Sequence, residues 1–192
     1  RALSSAASDV YKRQEDVSGQ SVDAFRVPSF SITRDNLWTF DVLAELGFKY
    51  DSSVFPALHE FGGIPGFSAE PTILKTHNGE LKEFPICTSK VLGREIIYSG
   101  GGYFRVMPYS LIKKWTQSDD YVLAYFHPSD FDPEQPQMSQ LSLMRQFKNR
   151  VGLKGAYSKY KKYMKDFDFI DFREADRNID WSKAKVVDID SI

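Results

Sequence analysis

The chain has 192 residues, of which 42% are hydrophobic and 15% aromatic, which is enough for a real core and excludes a disordered tail. The formal net charge of -1 gives no overall attraction to nucleic acid or acidic lipid. The single cysteine, Cys87, excludes an internal disulfide and a thiolate zinc cluster, and it fits a reducing compartment without establishing one. The apolar runs are short, so no membrane span is predicted.

Residues 1–14 are treated separately from the fold. They lack the apolar core of a signal peptide and resemble translated sequencing-adapter sequence. The chain also has no initiator methionine. We therefore expect it to be the C-terminal part of a longer protein, with residues 1–14 outside the folded domain.

The first elements in chain order are predicted to be a strand, a helix and a second strand. Residues 22–26 indicate a short strand that ends at the Pro28 turn. A helix is predicted from Ser31 or Thr33, since apolar residues recur at helical spacing as far as a terminating glycine. Residues 48–53 then indicate a second strand. This order predicts a βαβ unit and a parallel sheet or barrel.

The middle of the chain is rich in proline and glycine. Residues 56–104 are therefore predicted to form a long, structured excursion, with short strands around Ile73 and Glu83. Residues 108–117 indicate a helix that opens on a proline. Residues 122–127 indicate a buried strand, because they form a short apolar run that ends on a histidine.

The C-terminal part is predicted to be mainly helical. Between residues 137 and 165 there are eight basic and no acidic residues, which predicts one or two helices broken near residues 152–155. Residues 167–172 indicate the last strand. The tail from Asp176 onward is acidic and shows no clear pattern.

Arg26 and the turn that follows it are the first candidates for chemistry. A guanidinium at this position can hold a catalytic aspartate ionised through a bidentate pair. From this segment alone, a surface arginine at a loop start is the stronger interpretation. Pro28 fixes the turn, so the backbone N–H groups of Ser29 and Phe30 either point at a substrate oxygen or belong to a plain tight turn.

His127 is the second candidate, because α/β enzymes place reactive groups at the C-terminal ends of strands. Its unperturbed pKa near neutrality suits proton transfer to a leaving amine. A buried structural histidine is the alternative. Asp51 ends the second strand and either pairs with His127 or caps the next turn. His59 and His77 are interpreted as loop histidines, and the three histidines show no metal-ligand spacing.

Two further features have competing interpretations. The glycines at 100–102 lack nucleotide-loop patterns and indicate a close backbone approach or a bulge, while Arg105 either binds a sugar or acidic group or, more simply, is solvated. The basic stretch 145–165 contains three interleaved tyrosines that suit nucleic acid. A solvated helix face is the stronger interpretation, because the acidic tail offsets the charge, and no nucleic-acid partner is predicted.

Five segments, in this order, resemble the NodB-homology polysaccharide deacetylases, in particular a bacterial exopolysaccharide-associated branch with a C-terminal extension. The resemblance covers most of residues 16–176. The segments are Phe-Arg-Val-Pro-Ser-Phe-Ser-Ile at 25–32, Leu-Gly-Phe-Lys-Tyr-Asp-Ser-Ser-Val-Phe-Pro at 46–56, Glu-Phe-Pro at 83–85, Gly-Gly-Gly-Tyr-Phe-Arg at 100–105 and Tyr-Phe-His-Pro-Ser-Asp-Phe-Asp-Pro at 125–133.

The resemblance implies an α/β fold, with residues 15–135 as the C-terminal part of a distorted (β/α) barrel and residues 136–192 as a helical extension with a last strand. It implies metal-dependent N-deacetylation of a polysaccharide or oligosaccharide that contains N-acetylhexosamine. The divalent metal is expected to be zinc. Its ligands and the aspartate base are expected upstream of Arg26, so this chain alone is expected to be inactive. A bacterial cytoplasm is favoured over export.

The same resemblance implies catalytic roles for three residues. Arg26 would orient the aspartate base, and His127 would protonate the departing amine with Asp51 as its partner.

Four more residues are predicted to bind substrate. The Ser29 amide, with Phe30 beside it, would help to hold the oxyanion, although Ser29 stands where an aromatic residue is common. Tyr125, in place of a frequent leucine, would line the acetyl pocket, and Arg105 would contact the sugar. A non-catalytic carbohydrate-binding or exopolysaccharide-assembly module is the alternative.

Overall fold

The computed structural model describes residues 13–58, 60–91, 94–136 and 142–192. The chain forms two compact units, and the boundaries between them fall after residues 86 and 170. The first unit contains the described residues up to 86 together with residues 171–192, and the second contains residues 87–170. The sequence-based division places its boundary after residue 135 instead. His59 lies outside the described residues.

A five-stranded sheet forms the centre of the first unit. The strand order is β1-β2-β4-β3-β7, in which β3 and β4 form an antiparallel hairpin and the other neighbours are parallel. The strands are β1 Ala24–Phe25, β2 Tyr50–Asp51, β3 Thr72–Thr76, β4 Gly79–Glu83 and β7 Lys185–Asp188.

The predicted βαβ unit is confirmed. β1 and β2 pair in parallel, and helix α1, Trp38–Glu45, connects them. A short 3-10 turn precedes the helix and is capped by Thr33, whose hydroxyl accepts the Asp35 N–H at 3.3 Å. Gly47, with φ of +83°, ends the helix in the left-handed region that favours glycine. The helix packs its apolar side into the core of the unit, which comprises Ile32, Phe40, Leu43, Phe48, Val54, Ile64, Leu74, Leu81 and Ile189.

The second unit is built mainly from helices around a buried aromatic core. A two-stranded hairpin precedes them. The elements are β5 Ser89–Val91, β6 Arg94–Ile96, α2 Gly101–Val106, α3 Tyr109–Ser118, α4 Leu143–Arg150 and α5 Leu153–Asp166. Its hydrophobic core cluster comprises Cys87, Tyr98, Phe104, Ile112 and Tyr163. The last helix of the chain, α6, Phe172–Asn178, belongs to the first unit.

Two helix predictions in the second unit are confirmed. Helix α3 begins directly after Pro108, which supplies its N-cap, and it ends one residue beyond the predicted range. The basic stretch forms two helices, and the break between them lies at Gly152, with φ of +78°. Proline at a helix start and a left-handed glycine between helices are the signals that placed these boundaries.

Two strand predictions are wrong. Residues 122–127 do not form a strand: Tyr125 makes an isolated parallel bridge with Gly100, and the run is half-buried. The bridge is not extended, because the chain at Gly100 turns at once into α2. Residues 167–172 also form no strand, since the Asp171 carboxylate accepts the Glu174 N–H at 2.8 Å and starts α6.

The last strand lies instead in the tail, which showed no clear sequence pattern. β7 pairs in parallel with β3, so that Thr72 lies opposite Lys185 and Lys75 opposite Asp188. The strand has only four residues, and its partner is more than a hundred residues away in the chain. A local pattern carries no information about such a partner.

The α/β fold class is confirmed, since a largely parallel sheet is combined with helices. Closure of this sheet into a barrel stays a prediction. Among the described residues, no helix is both long enough and apolar enough to cross a membrane.

Candidate functional site

The C-terminal ends of three parallel strands meet in the first unit. Phe25 at the end of β1 lies opposite Asp51 at the end of β2, and Asp51 lies opposite Glu83 at the end of β4. Arg26 follows β1 directly. Because the carboxyl ends of parallel strands share one edge, this register brings a guanidinium and two carboxyl groups to the edge where α/β proteins place their reactive groups.

Arg26 is not a solvated surface arginine. Its Nε donates to the Ser52 carbonyl at 2.9 Å and its Nη2 donates to Ser52 Oγ at 2.7 Å. The guanidinium also lies 5.3 Å from the centre of the Phe30 ring. The Ser52 hydroxyl in turn donates to the Phe84 carbonyl at 2.8 Å, so Arg26 is linked through Ser52 to the ends of β2 and β4.

Asp51 is fully buried and caps the turn that follows β2. Its Oδ2 accepts the Ser53 N–H at 2.9 Å and its Oδ1 accepts the Ser53 hydroxyl at 2.8 Å. The same hydroxyl accepts the Val27 N–H at 2.8 Å, which ties the turn after β1 to this carboxylate. The structure therefore shows Asp51 as the cap of the next turn, which is one of its two predicted roles. Its pairing with His127, which belongs to the second unit, stays a prediction.

Glu83 is the residue that the sequence reasoning missed in this unit. It is fully buried, and its Oε1 accepts the Val54 N–H at 3.0 Å. Burial raises the pKa of Glu83 well above its ordinary value, and the adjacent Asp51 carboxylate raises it further. Burial also raises the pKa of Asp51, whereas Arg26 acts to lower the pKa of both. The available signal was a glutamate at the apolar end of a strand, directly before Phe-Pro.

The turn after Arg26 holds two residues in a left-handed backbone conformation. Ser29 has φ of 58° and Phe30 has φ of 49°, which non-glycine residues seldom adopt. The buried Phe30 ring and the close approach of Gly62, whose added Cβ would lie 2.3 Å from the Phe30 carbonyl oxygen, hold this shape. The Phe30 N–H donates to the Val27 carbonyl at 3.3 Å, and no acceptor for the Ser29 N–H is found in the described part of the chain. A role of the Ser29 amide in holding an oxyanion stays a prediction.

His127 lies in the second unit and is exposed, so it is not a buried structural histidine. Its Nε2 is 2.7 Å from the Tyr125 hydroxyl. Its Nδ1 is 3.9 Å from an oxygen of Asp130, which is buried and accepts the His127 backbone N–H at 3.0 Å. One side of the imidazole therefore faces a hydroxyl and the other faces a carboxylate.

Asp130 is the second residue that the sequence reasoning missed. It follows His127 by three residues across Pro128, and its N–H donates to the His127 carbonyl at 2.9 Å. A histidine, a proline and an acid at this spacing form a capped 3-10 turn, so the signal was present in the sequence. The capped turn fixes the backbone of the histidine relative to the carboxylate.

Arg105 and the preceding glycines are internal parts of the second unit. The Arg105 side chain is 8% exposed, and its Nε is 3.7 Å from Asp130. Its Nη1 donates to the Asn149 carbonyl at 2.9 Å. A Cβ at Gly100 would lie 1.9 Å from the Tyr125 carbonyl oxygen, so the predicted close approach is to this backbone. The solvated interpretation of Arg105 is wrong, while a contact with sugar stays a prediction.

Part of the basic stretch is also internal. The Lys159 ammonium donates to three carbonyls of α2 and the residue after it, at 2.7–2.9 Å. Tyr163 is fully buried. Neither residue is presented as a contact for a nucleic-acid phosphate or base.

The implied metal does not fit the residues that the structure describes. Among them, no group of three or more His, Cys, Asp or Glu side chains is arranged to hold a metal ion. No chemical step is therefore derived through a metal. The zinc expected from the resemblance, with ligands upstream of Arg26, stays a prediction.

Comparison with known proteins identifies a family by sequence. No curated protein and no solved structure matches the chain. Residues 52–177 match a family described as Domain of unknown function (DUF3473). This match includes Glu83 and the segment from Tyr125 to Asp130, and it covers more than half of the chain. The protein therefore belongs to the DUF3473 family.

Proposed function

We propose that this chain is part of a polysaccharide N-deacetylase of the NodB-homology type, and that it supplies the acid and the arginine of the site. Domains of the DUF3473 family are known to be associated with polysaccharide deacetylase-like proteins. The five sequence segments, in their order along the chain, support the same assignment. A barrel and a zinc ion are parts of this proposal.

One observation carries the proposal: the exposed imidazole of His127 lies between a hydroxyl and a buried carboxylate. The Asp130 carboxylate lies 3.9 Å from Nδ1, where it can orient the imidazole ring. The Tyr125 hydroxyl, 2.7 Å from Nε2, provides a partner that can hand on or receive a proton. Such a group can protonate the amine that leaves when an amide is hydrolysed.

Arg26 contributes position and charge in this proposal. Its guanidinium is anchored on Ser52 at the end of β2, and it precedes the left-handed turn at Ser29. A positive charge with a fixed direction can hold an aspartate base ionised. The Ser29 N–H can donate to the oxyanion that the carbonyl oxygen becomes when the amide carbon is attacked.

The test is acetate release from an oligomer of N-acetylhexosamine by the protein from the complete reading frame, supplied with a divalent metal. We expect the substitution His127→Ala to lower kcat by about 100-fold or more, the usual contribution of a general acid. His77→Ala, at an exposed histidine in the other unit, is the matched control and is expected to retain the wild-type rate. No acetate release by the wild type, or equal rates for His127→Ala and wild type, would contradict the proposal.

A carbohydrate-binding module without catalysis is the second candidate. It is favoured by exposed aromatic rings in residues 56–105, where Phe61 is 57% and Tyr103 is 51% exposed. Such rings stack on sugars. Binding of the same oligomer, measured by calorimetry, without acetate release and without an effect of His127→Ala, would support this function in place of the enzyme.

A further inference from the structure

Two carboxyl groups are completely buried side by side in the first unit. Asp51 and Glu83 are each 0% exposed, and they lie directly opposite one another in the parallel pair β2–β4. Residues in register on neighbouring strands project from the same face of a sheet. This register places the two carboxyl groups next to each other, and each carboxyl group acts on the pKa of the other.

Their hydrogen bonds are unequal. Both Asp51 oxygens accept a donor from Ser53. Glu83 accepts the Val54 N–H at Oε1, and its buried Oε2 has no donor among the described residues. A buried carboxylate oxygen without a donor is costly, and a second carboxylate beside it raises the cost.

The charges of the three side chains also indicate that one of the two acids carries a proton. Arg26 is the cation that acts on both carboxyl groups, from the end of β1. With both acids ionised, the three side chains carry a net charge of -1 in a buried place; with one proton added, they are neutral. The proton belongs on Glu83, because the two donors of Ser53 already stabilise Asp51 as a carboxylate.

We propose that Glu83 is a neutral acid in the folded protein at neutral pH, and that its Oε2–H donates to the Asp51 carboxylate. Glu83 is then a positioning residue. It closes a chain of hydrogen bonds that runs from the Val54 N–H through both acids and the Ser53 hydroxyl to the Val27 N–H, and so fixes the turn at residues 26–28. This inference is independent of the proposed function.

The groups around Glu83 are consistent with a neutral Glu83 side chain. The charged groups that act on Glu83 are Asp51 on β2 and Arg26 after β1. On the other side, β3 places the buried and non-ionisable Thr72 opposite Glu83. Burial and the Asp51 charge both raise the pKa of Glu83.

The direct test is the carboxyl carbon resonance of Glu83 in the 192-residue chain labelled with ¹³C-glutamate, followed as a function of pH. We expect the chemical shift of a neutral acid at pH 7. Glu80 on the same strand is exposed and serves as the internal control, with the shift of a carboxylate. A carboxylate shift for Glu83 at pH 7 overturns the proposal, and this readout requires no variant to fold.

The second test compares the variant Glu83→Gln with Glu80→Gln. A glutamine accepts the Val54 N–H and donates to Asp51 without titrating. The raised pKa of Glu83 makes the wild-type free energy of unfolding fall as the pH rises from its ordinary value of 4.5 toward its folded-state value. We expect Glu83→Gln to lose this decline and Glu80→Gln to keep it. An unchanged decline in Glu83→Gln would contradict the proposal.

Discussion

At the scale of single residues, two glycines of the second unit differ in the space available for a Cβ atom. Gly100 faces the Tyr125 backbone, and a Cβ there would lie 1.9 Å from the carbonyl oxygen. Gly155 lies in α5, and a Cβ there would meet nothing within 4 Å. The sequence does not distinguish the two glycines, but their neighbours give a substitution by alanine opposite effects on stability.

We expect Gly100→Ala to destabilise the second unit by about 3 kcal/mol, because backbone must move to admit the methyl group. The matched substitution Gly155→Ala should stabilise it by about 0.5–1 kcal/mol, since alanine is the better helix former. Urea denaturation of both variants measures the difference. Equal stabilities would show that the Gly100–Tyr125 bridge does not constrain the fold.

At the scale of elements, α2 is held at its C-terminal end by a side chain from α5. Lys159 Nζ donates to the carbonyls of Phe104, Arg105 and Met107, at 2.9, 2.8 and 2.7 Å. These are the carbonyls that a helix of six residues leaves unsatisfied, and a cation there also interacts favourably with the helix dipole. Burial lowers the pKa of Lys159, which is consistent with its inward position.

We expect Lys159→Met to destabilise the second unit by about 2 kcal/mol, since methionine keeps an apolar stem and loses hydrogen bonds from a charged donor. Lys161→Met is the control, because Lys161 on the same helix is exposed and lies 5.0 Å from the exposed Tyr157 ring. Hydrogen exchange of the α2 amides measures the effect locally. Equal exchange in the two variants would mean that Lys159 is not the cap.

At the scale of the whole molecule, stability should pass through a maximum as the pH changes. Lys113, with Tyr109, lowers the pKa of Asp166 through hydrogen bonds, so this contribution is present above the ordinary value of 3.8 and is lost as the pH falls through the folded-state value. The Asp41 carboxylate, which accepts a hydrogen bond from the His77 ring, raises the pKa of His77. The His77 contribution is full below 6.5 and is lost as the pH rises through the folded-state value.

His77→Gln should therefore flatten the decline in stability on the alkaline side of the maximum. His77 lies in the turn between β3 and β4, and its ring contacts two other parts of the unit. Nδ1 is 3.1 Å from Asp41 in α1, and Nε2 is 3.2 Å from Asp190 after β7. The ring is exposed, so salt should weaken the effect. Denaturation of wild type and variant over a pH series, at low and high salt, measures it. A variant that retains the full alkaline decline would rule out His77 as its source.

Much of the local structure could be predicted from the sequence. The βαβ unit, the helix after Pro108 and the break at Gly152 were predicted because helical spacing, prolines and glycines act over a few residues. The expected strands at 122–127 and 167–172 were wrong, because a strand requires a partner. At 122–127 the turn into α2 limits the pairing to a single bridge, and at 167–172 the Asp171 cap starts a helix.

The sequence by itself determined the βαβ unit, the helices after Pro108 and around Gly152, the family resemblance and the candidates Arg26, Asp51 and His127. Only the tertiary structure decided that Glu83 and Asp51 share one buried place, that Asp130 lies behind the His127 imidazole, and that β7 joins the sheet. The physical reason is the range of the forces. Caps, turns and helical periodicity act between residues near in sequence, whereas burial, register and paired charges depend on residues that only the folded chain brings together.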